Sequence, residues 1–118
     1  MKKIYYLSTC STCIRIIKEL GINKSFETQD IKTNKLTSEQ IDEMKEMAGS
    51  YEALFSRRAM KFRQMGLHEQ DLKDEDFKDL LLKEYTFLKR PVIIYQGEIF
   101  VGNSRKNIDT LKQLMFFE

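Results

Sequence analysis

Both cysteines of the chain fall in one hexapeptide, Ser8-Thr9-Cys10-Ser11-Thr12-Cys13. Two thiols with two residues between them can cycle between dithiol and disulfide, one attacking and the other resolving the adduct. A short apolar run, Ile4-Tyr5-Tyr6-Leu7, precedes the pair and a helical pattern follows it. A helix start leaves its first N–H groups without intrahelical partners and carries partial positive charge, and both favour a thiolate over a thiol. The two sulfurs are not equivalent. Cys13, Ile16, Ile17 and Leu20 fall at i, i+3, i+4 and i+7 and form one apolar stripe, with Arg15, Lys18 and Glu19 on the other side. Cys13 therefore opens the buried face, Cys10 sits in the loop at the helix mouth, and Ser11 or Thr12 is expected to cap the helix. Cys10 is read as the attacking thiolate and Cys13 as the resolving thiol. Two other readings compete. A free Cys can be a small buried hydrophobe, or the pair could hold zinc. A zinc site takes about four Cys or His ligands, and the only other candidate is His68, which lies in a polar loop and reads as surface.

At 118 residues the chain is one domain, long enough to bury about two-thirds of its unfolded surface. Its 42% hydrophobic and 32% charged residues are those of a soluble globular protein. No apolar run approaches the roughly 20 residues of a membrane span. Ile4–Leu7 is also shorter than the apolar core of about 7–15 residues in a signal peptide. The expectation is a cytoplasmic monomer, in a compartment where a Cys pair is more often redox-active than a structural staple. The net charge of +2 comes from interspersed signs and gives no domain-wide field for nucleic acid. The one basic run, Arg57, Arg58, Lys61 and Arg63, reads as a helix surface; direct nucleic-acid binding through it would show a steep loss of affinity with salt.

The element order follows from periodicity and punctuation. Residues 3–7 read as a strand, about 12–21 as a helix stopped by Gly21, and 25–31, which alternates weakly, as a second strand with Phe26, Thr28 and the Ile31 end as its candidates, a β-α-β start with a parallel pair. Thr37-Ser38-Glu39-Gln40 has the capping-box form, followed by Ile41, Met44 and Ala48 at helical spacing. Gly49-Ser50 ends this helix and Ser50 caps the next, with Tyr51, Leu54 and Phe55 buried. Gly66 breaks the basic run, and Asp74-Glu75-Asp76 opens a helix carrying Phe77, Leu80 and Leu81. The stretch 37–85 is read as entirely helical. Val92–Tyr95 and Glu98–Val101 flank the turn pair Gln96-Gly97 as a hairpin, and Asn103 or Ser104 caps a last helix with Ile108, Leu111 and Met115 inward. Tyr5, Tyr6, Phe26, Phe100 and Phe116 are expected in the core or at its edge. Pro91, the only proline, opens a strand, one of the few places a sheet tolerates it. The whole is an α/β, thioredoxin-type mixed sheet (βαβ, then ββα) spanning 1–118, with a helical insertion at about 37–85. A Cys-x-x-Cys in its first β-α turn is a redox signature.

The chain resembles the arsenate reductase family of glutaredoxin-like proteins, including the Spx-like regulators. The markers are Cys10 after the first strand, the segment Leu54-Phe55-Ser56-Arg57-Arg58 with Phe62 following, Lys89-Arg90-Pro91 before the hairpin, and Val101-Gly102 after it. The resemblance implies a catalytic thiolate at Cys10, one arginine at Arg58 (Arg57 being the nearby alternative) and a second at Arg90. It also implies a cis Pro91 facing the cysteine, and a substrate site formed by Ser11, Thr12, Arg58, Arg90 and Pro91. The third arginine of the true arsenate reductases falls on Gly102, with Arg105 out of register. Guanidinium forks bind tetrahedral oxyanions bidentately, and losing one such donor can cost on the order of 10²–10³ in rate.

A thiol-dependent oxidoreductase attacking arsenate or a disulfide is thus expected. It would hold no bound cofactor or metal, and glutathione with glutaredoxin, or thioredoxin, would be the reductant. Cys13 departs from the single-cysteine reductases and is more like the Spx-like regulators, in which an internal disulfide is a redox switch and the partner is the RNA polymerase α subunit. That alternative makes the protein a redox-sensing transcription regulator, although the sequence ends soon after its last helix and leaves little room for a regulatory tail.

Overall fold

The computed structural model describes residues 1–117. The chain divides into two compact units, one built from Met1–Asn34 and the segment from Arg90 on, the other from Lys35–Lys89. The first unit holds β1 (Lys2–Tyr6), α1 (Ser11–Leu20), β2 (Glu27–Asp30), β3 (Val92–Tyr95), β4 (Glu98–Val101) and α5 (Arg105–Phe116). The second holds α2 (Ser38–Ala48), α3 (Met60–Gln64) and α4 (Asp74–Lys83), joined by short 3-10 turns. Among the described residues no helix is long and apolar enough to cross a membrane.

In the first unit the strands run in the order β2-β1-β3-β4. β1 pairs parallel with β2, Tyr6 opposite Asp30, and antiparallel with β3, Ile4 opposite Ile93; β4 completes the hairpin antiparallel to β3. Side chains alternate across a strand, so Ile4, Ile93, Tyr95 and Phe100 present one apolar face. Ile16 and Leu20 of α1 and Ile108 and Leu111 of α5 pack on it, with Phe26. Phe26 reaches that core from the loop before β2, its ring stacked on Tyr95 at 6.1 Å. The hairpin turn uses Gln96 and Gly97 at φ +51° and +81°, the left-handed pair that matches the twist of its strands.

Three local expectations change in this unit. Cys10, not Ser11 or Thr12, is the N-cap of α1, which begins one residue earlier than the periodicity implies. In β2, Thr28 is exposed, while Gln29 and Ile31 share the opposite face and are buried. Gln29 tolerates burial because its amide donates to the Asn34 carbonyl at 3.0 Å. Phe116 is 82% exposed, as is Phe117, because α5 runs a turn past the core its inner residues cover. Gly21 does stop α1: at φ +65° it donates to the Lys18 carbonyl and Ile22 donates to that of Ile17, each at 3.1 Å, the paired bonds of a Schellman motif.

In the second unit Thr37 and Gln40 form the capping box, each side chain accepting the other's main-chain N–H at 3.1 Å. Ser50 accepts from the Ala53 N–H at 3.1 Å. Phe55 is the hub of this unit, its ring 4.9 Å from Phe77, 4.8 Å from Phe87 and 5.9 Å from Phe62. The Arg57-Arg58 pair lies in a turn and not on a helix, since α3 starts only at Met60.

One ion-pair cluster ties α1 to α5. The Arg105 guanidinium takes the Glu19 carboxylate with both terminal nitrogens, and Lys112 reaches the same carboxylate at 2.9 Å. These contacts, Arg105 first, pull the Glu19 carboxyl down to about 2. A carboxyl held down in the folded state stabilises it above the unfolded pKa and loses that contribution as pH falls. Wild type is therefore expected to melt above Glu19→Gln at pH 7, with the gap closing as pH drops from about 4.5 towards about 2; a pH-independent gap in thermal melts would contradict this. Phe55→Ala, at a fully packed aromatic hub, should cost about 3–5 kcal/mol in urea unfolding.

Candidate active site

The thiol pair is positioned by a turn and a helix start. Cys10 closes the turn Leu7–Cys10, its N–H donating to the Leu7 carbonyl at 2.9 Å, and its own carbonyl takes the first helical bond from Ile14 at 3.2 Å. An extended backbone at Cys10, φ −94° and ψ 110°, leads the chain into α1. Cys10 is half-buried and Cys13, in the first turn of α1, is fully buried. The cysteines are free thiols.

Their chemistry diverges. Burial pushes the Cys10 thiol up, and that is the largest single influence. The main-chain N–H of Cys13, the Cys13 thiol, the Arg90 charge and the N–H of Thr12 together outweigh it and hold Cys10 below the ordinary range. Cys13 moves the other way, to about 11, first through burial, then through its S–H bond to Cys10 and the negative charge there; the Leu7 backbone and Arg90 oppose this only in part. The arrangement favours the thiolate at Cys10 and the protonated thiol at Cys13 beside it.

Arg90 is half-buried and its Nε is shielded from solvent. The Arg90–Pro91 peptide is cis, as the resemblance implies. Pro91 is buried, and its carbonyl accepts the Gly102 N–H at 2.9 Å. Of the residues expected at the site, this unit brings Cys10, Thr12, Cys13 and Arg90 into one electrostatic group. Ser11 is exposed on the first turn of α1. Arg58 belongs to the second unit, exposed in the turn ahead of α3. Arg57, its alternative, is engaged: it pairs with Glu52 at 2.8 Å and lies over the Phe77 ring at 5.3 Å.

The position of the third arginine is Gly102, at φ +89°. Arg105 does not substitute for it, because Glu19 and Asp109 take its terminal nitrogens and its Nε. His68 sits in a 3-10 turn of the second unit beside Glu69 at 3.6 Å. Among the described residues no cluster of three or more His, Cys, Asp or Glu could hold a metal. One participant escaped the sequence reading. Asp30 accepts the Ser8 hydroxyl at 2.5 Å, two residues before Cys10. Only the parallel register of β1 with β2 brings these residues together, and a weakly alternating strand such as 25–31 does not disclose its register.

The fold is thioredoxin-like and matches solved ArsC-type structures. An arsenate reductase from Vibrio cholerae superposes with TM-score 0.77 at 15% identity, covering 93% of this chain and 96% of that one. An arsenate reductase (ArsC) related protein from Brucella melitensis gives TM-score 0.69 at 22% identity, covering 92% of each. No curated protein matches the sequence significantly. The model of the ArsC family matches residues 5–111, a span that includes both cysteines, Arg58 and Arg90-Pro91, and the chain belongs to that family.

Proposed function

We propose that the protein is a thiol-dependent oxidoreductase in which Cys10 attacks an oxyanion or a disulfide and Cys13 resolves the product. The observation that carries this reading is the opposite displacement of two neighbouring thiols, Cys10 down and Cys13 up. With a disulfide R–S–S–R′, the Cys10 thiolate attacks one sulfur, the Cys10–S–S–R bond forms, and R′S⁻ leaves. The charge on Cys10 is thereby lost, and with it two of the influences that keep Cys13 protonated. Cys13 then gives up its proton, attacks the Cys10 sulfur and releases RS⁻. The Cys10–Cys13 disulfide holds the two electrons' worth of oxidation and needs an external dithiol, or two thiols, to reset it.

With arsenate, Cys10 would form an S–As(V) bond and displace hydroxide. A second thiol, Cys13 or glutathione, attacks that sulfur; a disulfide forms and As(V) leaves as As(III). Arg90 stabilises the thiolate and the incoming anion, and the N–H groups at the mouth of α1 receive its oxygens. Ser11, Thr12 and Pro91 are the further residues of the substrate site in this reading.

A second reading is favoured by one observation. Gly102 stands where the third arginine is expected, and Arg105 is held by Glu19. A site with fewer guanidinium donors suits a redox switch better than oxyanion turnover. In that reading the Cys10–Cys13 disulfide alters a surface bound by the RNA polymerase α subunit.

Arsenate-dependent NADPH consumption by the reduced protein, coupled through glutathione, glutaredoxin and glutathione reductase, separates the two. Turnover that disappears in Cys10→Ser supports the enzyme. No turnover, together with a Cys10–Cys13 disulfide on mild oxidation and retention of RNA polymerase in a pull-down, supports the switch. In either case Arg90→Ala should raise the pH midpoint of Cys10 alkylation, because it removes a cation that holds the thiolate down; an unmoved midpoint would exclude that role. Cys13→Ser should leave the first attack intact and trap Cys10 as a mixed disulfide, visible as an added thiol mass. Failure to trap any adduct with an excess of small disulfide would contradict the resolving role.

A further inference from the structure

We infer that Asp30 is a positioning residue for Cys10, fixing the turn between β1 and α1 through Ser8; this rests on the thiolate reading of Cys10 above. Asp30 ends β2 opposite Tyr6. Its Oδ2 accepts the Ser8 hydroxyl at 2.5 Å, and its Oδ1 accepts the Ser8 N–H at 3.5 Å and the Lys32 N–H at 3.2 Å. An ionised carboxylate only accepts, so the hydroxyl donates and both donors of Ser8, its N–H and its O–H, point at one side chain.

Asp30 is itself anchored. Its carbonyl takes the Asn34 N–H at 2.8 Å, and the next residue, Ile31, donates to the Tyr6 carbonyl at 3.0 Å. Ser8 is the second residue of the turn that Cys10 closes on Leu7. One carboxylate, held to the sheet, thus grips the corner of a turn whose last residue carries the sulfur.

The grip matters because the N–H groups of Cys13 and Thr12 act on Cys10 at hydrogen-bond range, where attraction falls steeply with misplacement. Catalytic groups need to be held within about 0.5 Å of their working geometry. Burial alone pushes Cys10 up, so a sulfur that drifts from its donors reverts towards an ordinary or raised thiol. Asp30 is not among the charges that principally act on Cys10; Lys32 is the cation beside it. Its influence is therefore geometric, and its amide should serve almost as well.

The test is the pH dependence of iodoacetamide alkylation of Cys10, read by mass spectrometry on the reduced full chain. Wild type is compared with Asp30→Ala, Asp30→Asn, Ser8→Ala and the Asp30→Ala/Ser8→Ala double variant. Asp30→Ala and Ser8→Ala should each raise the midpoint by about half a unit or more, slowing alkylation below the midpoint about threefold or more. The double variant should shift no further than the larger single, since both remove one contact. Asp30→Asn, which keeps an acceptor for the hydroxyl, should stay close to wild type. Midpoints unmoved in Asp30→Ala and Ser8→Ala, whatever their melting temperatures, would overturn the inference, and Ser8→Ala decides alone if Asp30→Ala does not fold. A wild-type midpoint in the ordinary thiol range would remove the thiolate reading and this inference with it. That outcome is distinct from a depressed wild-type midpoint that the variants leave in place.

Discussion

A half-buried sulfur favours its thiolate only where donors replace the water it has lost. That requirement sits at the mouth of α1, and the catalytic reading of the first unit depends on it. Desolvation is the largest influence on Cys10 and works against the thiolate. The balance tips because several smaller influences converge on one atom: two main-chain N–H groups, a neighbouring S–H and one guanidinium. Each pKa unit corresponds to about 1.4 kcal/mol between protonation states, so a contact of ordinary hydrogen-bond strength decides the outcome. The site is tuned by position as much as by composition.

The rest of the first unit can be understood as holding those positions. The sheet sets β1 between β2 and β3, so the cysteine turn leaves from a central strand. Gly21 stops α1 at one end, the Glu19–Arg105–Lys112 cluster ties it to α5, and Asp30 steadies the turn at the other end. The pairing of Arg105 has a chemical consequence. An arginine committed to the α1–α5 link is not a donor for an oxyanion, whereas the Arg90 charge acts on both sulfurs.

Much of this was legible in the sequence because strong local signals lie beside the chemistry. The apolar stripe from Cys13 to Leu20 buries Cys13, the capping box at Thr37 starts α2, and the hairpin flanks Gln96-Gly97. The misreadings have physical causes. Ser11 and Thr12 are better cap formers than Cys in general, yet tertiary placement makes Cys10 the cap. The weak alternation of 25–31 singles out Phe26 and Thr28, whereas Phe26 precedes β2 and the residue buried within the strand is Gln29, whose amide finds a carbonyl. Phe116 looked like core from its residue type, but α5 outruns the surface it covers. The Ser8–Asp30 contact joins residues 22 apart in sequence and follows from no local pattern.

The central claim is that Cys10, and not Cys13, is the nucleophile of the reduced protein. Its most direct test is to treat the native, reduced chain with a limiting amount of iodoacetamide near neutral pH and locate the label by peptide mass spectrometry. The account predicts label on Cys10 almost alone, with Cys13 reacting only after denaturation or at pH approaching about 11. Equal labelling of the two, or labelling of Cys13 first, would contradict it.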